Sequence, residues 1–229
     1  MDRRIHYKIV VDCETAPCDR SIDEVTPINM LAYDIGWVVT DRRGNVYASR
    51  SFVNANVFLD EKDLMHSAYY AHKIPEYWED IKSGKRILTS FYNIRMAFLA
   101  DCNLYNVQQI YAHNMHFDYS ALNNTQRWLT KSKYRYFFPY GAEICDTLKL
   151  AKDLIAPMKK YRKFCEENGY ITKAGNVRLT AEILYRFISG DEEFKEEHKG
   201  LDDCLAEKEI LAYCYSKHKK MDGRLWAAA

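Results

Sequence analysis

Acidic side chains at three separated places carry whatever chemistry this sequence holds. Asp12 and Glu14 stand as D-C-E directly after the β-branched run Tyr7-Lys8-Ile9-Val10-Val11. Side chains alternate faces along a strand, so positions i and i+2 point the same way and Cys13 turns into the protein. Two neighbouring carboxylates repel unless a cation lies between them, and hard oxygen donors suit Mg2+ or Mn2+. Alone, the pair reads equally as two surface acids at a strand end. The second place is Tyr111-Ala112-His113-Asn114-Met115-His116-Phe117-Asp118. Here a strand ends in a polar turn and Asp118 opens a helix, where the helix dipole favours a carboxylate. A plain N-terminal helix acid is the alternative. His113 and His116, three apart in a turn without nearby cysteines, suit surface or hydrogen-bonding roles. The third place is His198-Lys199-Gly200-Leu201-Asp202-Asp203. Gly200 permits a sharp turn, with His198 on the entering loop and Asp203 in the first turn of a helix. The two can aim at one point, Asp203 as a metal ligand and His198 as a proton acceptor. The alternative is an ordinary acidic helix start beside a solvated histidine.

The elements that must position these residues follow from periodicity. Tyr7–Val11 reads as a buried central strand. Tyr33–Thr40 and Val46–Phe52 read as two more, joined by Asp41-Arg42-Arg43-Gly44-Asn45 as a hairpin turn. Leu59–Arg86 is polar and aromatic, helical in pieces. Ile87, Phe91, Ile94, Phe98 and Cys102 recur at helical spacing. Gln109–Ala112 and Glu143–Cys145 are short strand candidates. Asp118, Leu122, Thr125 and Leu129 share a face of the helix between them. A further helix spans Ala156–Asn168, ended by Gly169. Lys173-Ala174-Gly175-Asn176 turns a small hairpin, and Thr180 caps a helix reaching about Ile188. The last helix runs from Leu201 to about Lys217. Leu225-Trp226-Ala227-Ala228-Ala229 reads as a loose tail.

Composition excludes several classes. With 48% hydrophobic and 28% charged residues, the 229-residue chain has enough apolar surface for one core, not a disordered or fibrous composition. Its apolar runs fall short of a membrane span, and no signal peptide is expected. The seven cysteines form no C-x-x-C pair, so neither a zinc module nor a disulfide framework is expected. A reducing, cytoplasmic setting follows. Net charge is +1, but its distribution is uneven. From Arg127 to Lys163 ten bases face three acids, and from Glu182 to Glu209 ten acids face four bases. The basic stretch carries Tyr134, Tyr136, Phe137, Phe138, Tyr140 and Tyr161. Lysines and arginines can neutralise phosphates while rings stack on unpaired bases. Lys131, Lys133 and Arg135 are therefore candidate contacts to a nucleic acid, against the alternative of a solvated helix face.

Taken together, V-V-D-C-E-T, A-H-N-x-x-F-D and H-K-G-L-D-D-C resemble the motifs of the DEDDh (DnaQ-like) 3′→5′ exonucleases, the family of the proofreading epsilon subunit and ribonuclease T. The matching positions are Asp12 and Glu14, then Asp118, then His198 with Asp203. His198 lies five residues before Asp203, as in the histidine branch. Lys199 stands where the tyrosine branch has its tyrosine. Ile144-Cys145-Asp146-Thr147-Leu148 resembles a family strand and turn whose Asp is mainly structural. The resemblance departs at Phe58–Arg86 and in a variable insertion at about 152–190, both places where substrate choice could differ.

The resemblance implies an α/β ribonuclease H-like fold, a single domain over residues 1–229. Its five-stranded mixed sheet would have the order 3-2-1-4-5, with strand 2 antiparallel and helices on its flanks. It implies two Mg2+ or Mn2+ ions, with Asp12 bridging them, Glu14 and Asp203 on the water-orienting ion and Asp118 on the other. His198 would be the general base. Thr15 and Asn114, inside the motifs, would touch substrate. It further implies single-stranded 3′ ends of DNA as substrate, 5′-mononucleotides as product, and a DNA polymerase or other replication or repair protein as partner. Two other readings stand beside it: an RNA 3′-end exoribonuclease of the ribonuclease T type, and a non-catalytic nucleic-acid-binding or polymerase-associated module.

Overall fold

The computed structural model describes residue 2, residues 4–18 and residues 29–226. Its first strand is longer than the apolar run suggests. β1 (Lys8–Pro17) continues through the acidic motif and pairs antiparallel with β2 (Met30–Thr40), from Lys8 opposite Thr40 to Pro17 opposite Met30. β3 (Val46–Asn54) completes the hairpin with β2. β5 (Gln109–Ala112) runs parallel to β1, and β6 (Glu143–Asp146) parallel to β5.

The expected order 3-2-1-4-5 is therefore present, but a sixth strand lies outside it. β4 (Ile87–Thr89) pairs parallel with β3 at the sheet edge, giving the order β4-β3-β2-β1-β5-β6. Ile87 thus belongs to a strand rather than to the helix whose spacing it continues. That helix, α4 (Phe91–Leu104), begins only after Ser90, whose side chain accepts the Asn93 N–H. A capping serine fixes a helix start more strongly than one apolar residue extends it.

Between β3 and β4 the chain forms α1 (Ala55–Phe58), α2 (Lys62–His66) and α3 (Ile74–Ser83). After β5 comes α5 (Met115–Thr130), and after β6 comes α6 (Thr147–Leu154). The sequence reading lacks α6, because eight residues give little more than two turns of pattern. Asp146 caps it by accepting the Leu148 N–H. α7 (Lys159–Glu167) is shorter than the expected 156–168 helix. A bridge between Ile171 and Val177 closes the small hairpin. α8 (Ala181–Ser189) is capped by Thr180, as expected, and α9 (Gly200–Lys217) ends the helical set. The closing segment is docked rather than loose. Leu225 donates its N–H to Ile144 O, and Trp226 packs edge-on against Tyr119 at 4.7 Å. Ala227, Ala228 and Ala229 lie outside the described residues. No described helix is long and apolar enough to cross a membrane.

The alternation of β1 divides the core. Ile9, Val11 and Cys13 face α4 and α5, packed with Trp37, Phe98 and Leu122. Val10 faces the other side, with Leu150, Leu184 and Leu211 from α6, α8 and α9. Asp12 and Glu14 share the parity of Val10, so they emerge on the α9 side. A bulge at the step from Glu14 to Thr15 leaves Tyr33 of β2 without a register partner. Such a bulge re-aims the side chains next to it.

One contact decides where α9 sits. A Cβ built on Gly36 of β2 would lie 2.1 Å from Leu201 N, and one on Gly200 would lie 2.9 Å from Asp12 O. Helix backbone thus rests directly on strand backbone, a distance that two glycines permit and any side chain forbids. Gly36→Ala must push α9 off the sheet. The expected loss is at least the ~1–3 kcal/mol of an overpacked core, read as a lower midpoint in denaturant unfolding. A Gly84→Ala control has open space around its Cβ and strain only from its positive φ. It should cost less.

Candidate active site

Three chain segments deliver their acids to one end of the central strands. From β1 come Asp12 and Glu14, half-buried on the α9 side. From the β5–α5 turn comes Asp118, only 3% exposed. The turn itself needs a left-handed residue, Asn114 with φ 65°, a conformation asparagine tolerates better than most. Pairing of β1 with β5 stops at Val10 opposite Tyr111, which leaves later β1 N–H groups on that edge open. Asp118 fills the gap: its Oδ1 accepts from Cys13 N at 3.1 Å and from Cys13 Sγ at 3.3 Å. The helix opens at Met115, so Asp118 sits at the end of its first turn rather than at its start.

From α9 comes Asp203. Its Oδ2 reaches back to accept the Lys199 N–H at 3.0 Å, as the carboxylate arm of a capping box does. Its Oδ1 is buried and has no hydrogen-bond partner among the described residues. An orphaned carboxylate oxygen in an interior is costly unless something cationic meets it. One donor atom from each of Glu14, His198 and Asp203 lies within 4.8 Å of the others. Carboxylates, an imidazole and an unpartnered oxygen form a donor set that fits Mg2+ or Mn2+.

Electrostatics agree with the geometry. Burial, then repulsion from Asp203, lifts the Glu14 carboxyl to about 8. Burial, then Glu196, lifts Asp203 to about 8. Burial lifts Asp118 to about 7 against the Cys13 hydrogen bonds, which pull it down. Asp12 is raised well above the carboxylate range by burial, then by Asp118, Glu207, Asp203 and Glu14. His198 goes the other way: burial, then the nearby Lys73 charge, lowers it, outweighing Glu182 and Glu197. A lowered value keeps the ring neutral and able to accept a proton near neutral pH.

The structure shows positioning groups that sequence reading missed. His198 has φ 48°, and its ring stacks on Tyr70 with centroids 4.6 Å apart and planes 16° off parallel. Lys73 Nζ donates to Glu197 O, strapping down the loop that carries His198. Both Tyr70 and Lys73 belong to the irregular 59–86 stretch, whose composition contains no motif that would single them out. Arg86, at the end of the same stretch, is fully buried. It donates to both oxygens of Asp34, to Asp80 and to Asp202. Asp34 lies opposite Glu14 in the sheet and also accepts the Gly200 N–H at 3.0 Å. Lys199 turns away from the cleft to pair with Glu76 and Asp80 on α3. Glu207, one turn beyond Asp203 on α9, is 4% exposed and accepts the His113 N–H at 3.1 Å. Its i+4 spacing from Asp203 is a signal the sequence does contain.

The remaining expected residues divide. Asn114 is exposed on the rim of the cleft, and its N–H is held by Asp146 Oδ1 at 3.0 Å. Asp146 is structural, as the sequence comparison suggests. Thr15 is buried beside the bulge and does not line the cleft. His113 is satisfied by Thr147 Oγ1 and Leu179 O, while His116 is exposed. Lys131, Lys133 and Arg135 follow the far end of α5, about 18 Å from Asp118 along its axis at 1.5 Å per residue. The cleft of about 650 Å3 is instead walled by the insertion, through Lys152, Arg178 and Leu179.

No protein-family model and no curated protein sequence matches the chain. Solved structures do resemble it. S. pombe Pop2p in its Mg2+- and Mn2+-bound form aligns with a TM-score of 0.55 at 13% identity, covering 97% of this chain and 86% of that one. Cell-death related nuclease 4 aligns with a TM-score of 0.54 at 10% identity, covering 93% and 65%. The zinc-bound E. coli ExoI–ssDNA complex aligns with a TM-score of 0.54 at 12% identity, covering 94% and 42%. The chain therefore spans under two thirds of the latter two proteins. At these identities the likeness is one of fold: a mixed sheet flanked by helices, ribonuclease H-like, with an added edge strand.

Raised carboxyl values have a consequence for stability. The folded chain retains protons that the unfolded chain releases above about pH 4. Stability is therefore complete below that range and declines as pH rises through the folded values near 7 and 8. Metal-free protein should show a falling melting temperature between about pH 5 and pH 8. Mg2+ or Mn2+ should restore most of it, because the native state alone holds the ions. An Asp12→Asn, Asp203→Asn double variant should show a flatter pH profile and a smaller metal shift. Equal metal shifts in variant and parent would place the ions elsewhere.

Proposed function

We propose that the protein is a metal-dependent 3′→5′ exonuclease that hydrolyses phosphodiester bonds at single-stranded 3′ ends and releases 5′-mononucleotides. The observation that carries this reading is the meeting of Glu14, His198 and Asp203 within 4.8 Å, with Asp203 Oδ1 buried and unpartnered among the described residues, Asp12 beside them in the cleft and Asp118 near enough to raise Asp12. A structural role alone does not require four mutually repelling carboxylates at one place. Divalent ions held there would supply Lewis acidity and positive charge for attack on a phosphodiester.

The chain's own groups have separable tasks. Asp12, Glu14 and Asp203 would hold the ions, and Asp118 would do so from the α5 side while fixed to Cys13. His198 accepts the proton of the attacking water on a ring nitrogen, with Tyr70 stacking to hold the ring in place. Lys152 and Arg178, which line the cleft, are cations available to the phosphate backbone of the entering strand. The 152–190 insertion is thereby part of the substrate channel in the single-domain reading.

Incubation with 5′-labelled single and double strands of DNA and of RNA, in Mg2+, Mn2+ or EDTA, tests the proposal and decides the sugar. A ladder shortening from the 3′ end that EDTA abolishes is expected. Asp12→Ala should remove activity while leaving the fold intact. His198→Ala should cost about 10²–10⁴-fold in rate and keep the metal-induced thermal shift. It should also lose the acidic limb of the pH–rate profile. Full activity in both variants would place the chemistry elsewhere, and a parent chain that binds strands without shortening them would leave a binding module as the better reading.

A further inference from the structure

A second surface has the chemistry of unpaired nucleic acid without belonging to the cleft. A groove of about 880 Å3 lies between α4, the C-terminal half of α5 and the segment after it. Four tyrosines stand out from its walls: Tyr92 at 69% exposure, Tyr134 at 79%, Tyr136 at 48% and Tyr140 fully exposed. They are held outward by what their neighbours do. Phe137 and Phe138 are buried in the core, Asn123 Oδ1 accepts the Phe137 N–H at 2.7 Å, and Arg95 Nε donates to the Tyr136 and Phe137 carbonyls. So the segment is fixed, and its rings are presented to solvent.

The charges are of one sign. Arg95 and Arg135 line the groove, and no aspartate or glutamate does. Among the described residues neither arginine has a carboxylate partner, and Arg135 lies close enough to contribute to lowering Arg95. Lys131 and Lys133 lie over the Trp128 and Tyr134 rings at 4.8 and 5.1 Å. Unpaired cations among exposed rings are what a single strand uses, phosphate to cation and base to ring, with little regard to sequence. We propose that this groove is a second site for unpaired nucleic acid, taking up the strand 5′ of the end held in the cleft. The two sites are set apart by α5, about 18 Å from Asp118 to the end of the helix at 1.5 Å per residue. The placement of the 3′ end rests on the exonuclease reading; the groove's affinity does not.

Fluorescence anisotropy in EDTA, with oligothymidylates of about 15 and about 3 nucleotides, tests it. The full chain should bind the longer strand at least tenfold more tightly than the shorter. Tyr134→Ala with Tyr140→Ala should lose at least tenfold affinity for the longer strand, and Tyr134→Phe with Tyr140→Phe should retain it, since stacking needs the ring alone. Arg135→Glu should flatten the salt dependence of binding. All are exposed positions, so melting temperatures should match the parent's. Equal affinity for the two lengths, or an alanine pair that binds like the parent, overturns the proposal. So does binding to anionic lipid vesicles in place of oligonucleotides. If the parent binds through these tyrosines yet never shortens the strand, the exonuclease reading falls and the groove stands. If it shortens strands and the alanine pair binds normally, the reverse holds.

Discussion

The contact of Gly36 with Gly200 sets the depth at which α9 meets the sheet, and the proposed site depends on that depth. Asp203 is one turn into α9, so its carboxylate reaches Glu14 only if the helix start lies against β1 and β2 with no side chain between. A methyl group at either glycine would stand the helix off and move Asp203 with it. Once the backbones touch, the carboxylates are driven into mutual range and into a partly dry environment. Burial and repulsion then raise every one of them. The structure holds this unfavourable arrangement by packing elsewhere, and divalent cations at the proposed site would relieve it.

Much of that packing is polar. Arg86 is a buried cation with four acceptors: Asp34, Asp80, Asp202 and Ser51 Oγ. A buried ion pair adds little net stability over apolar packing, but losing one partner strands the other charge at a cost of about 3–5 kcal/mol. Its value here is geometric. Asp34 sits opposite Glu14, Asp202 adjoins Asp203, and Asp34 also takes the Gly200 N–H. One guanidinium therefore ties the β2 side of the site to the start of α9. Tyr77, on α3 with Asp80, also donates to Asp34, at 2.9 Å. The stretch from Phe58 to Arg86, one of the two departures from the resembled family, supplies this hub and the Tyr70 ring beneath His198.

The two long departures do different work. The first braces the acids from behind. The second, 152–190, forms the outer wall of the cleft and brings Lys152 and Arg178 toward it. The basic, aromatic stretch after α5 lies at neither place. Its separation from the cleft follows from the length of α5, a rigid helix whose two ends must face different surroundings.

Local sequence determined a good deal by itself. Short β-branched, apolar runs placed β1, β2, β3, β5 and β6, because helices cover both faces of the sheet and bury both sides of its central strands. Thr180 and Gly169 marked helix boundaries, because caps and left-handed residues act within one turn. Asp12, Glu14, Asp118, His198 and Asp203 were read as a set only through the resemblance of their three motifs to the exonuclease pattern, because each motif alone also suits ordinary acids at a strand or helix start. Pairing decided the rest. Ile87 became an edge strand only because β3 offered it a free row of hydrogen bonds, and α6 needed the core under Leu150 to justify two turns. Tyr70 and Arg86 acquired roles from His198 and Asp202, 128 and 116 positions away in sequence, which no local pattern encodes, and Glu207 met His113 from 94 positions away. The direction of the His198 shift was likewise undecidable from its acidic neighbours, since burial against Tyr70 outweighs them only once the chain has folded.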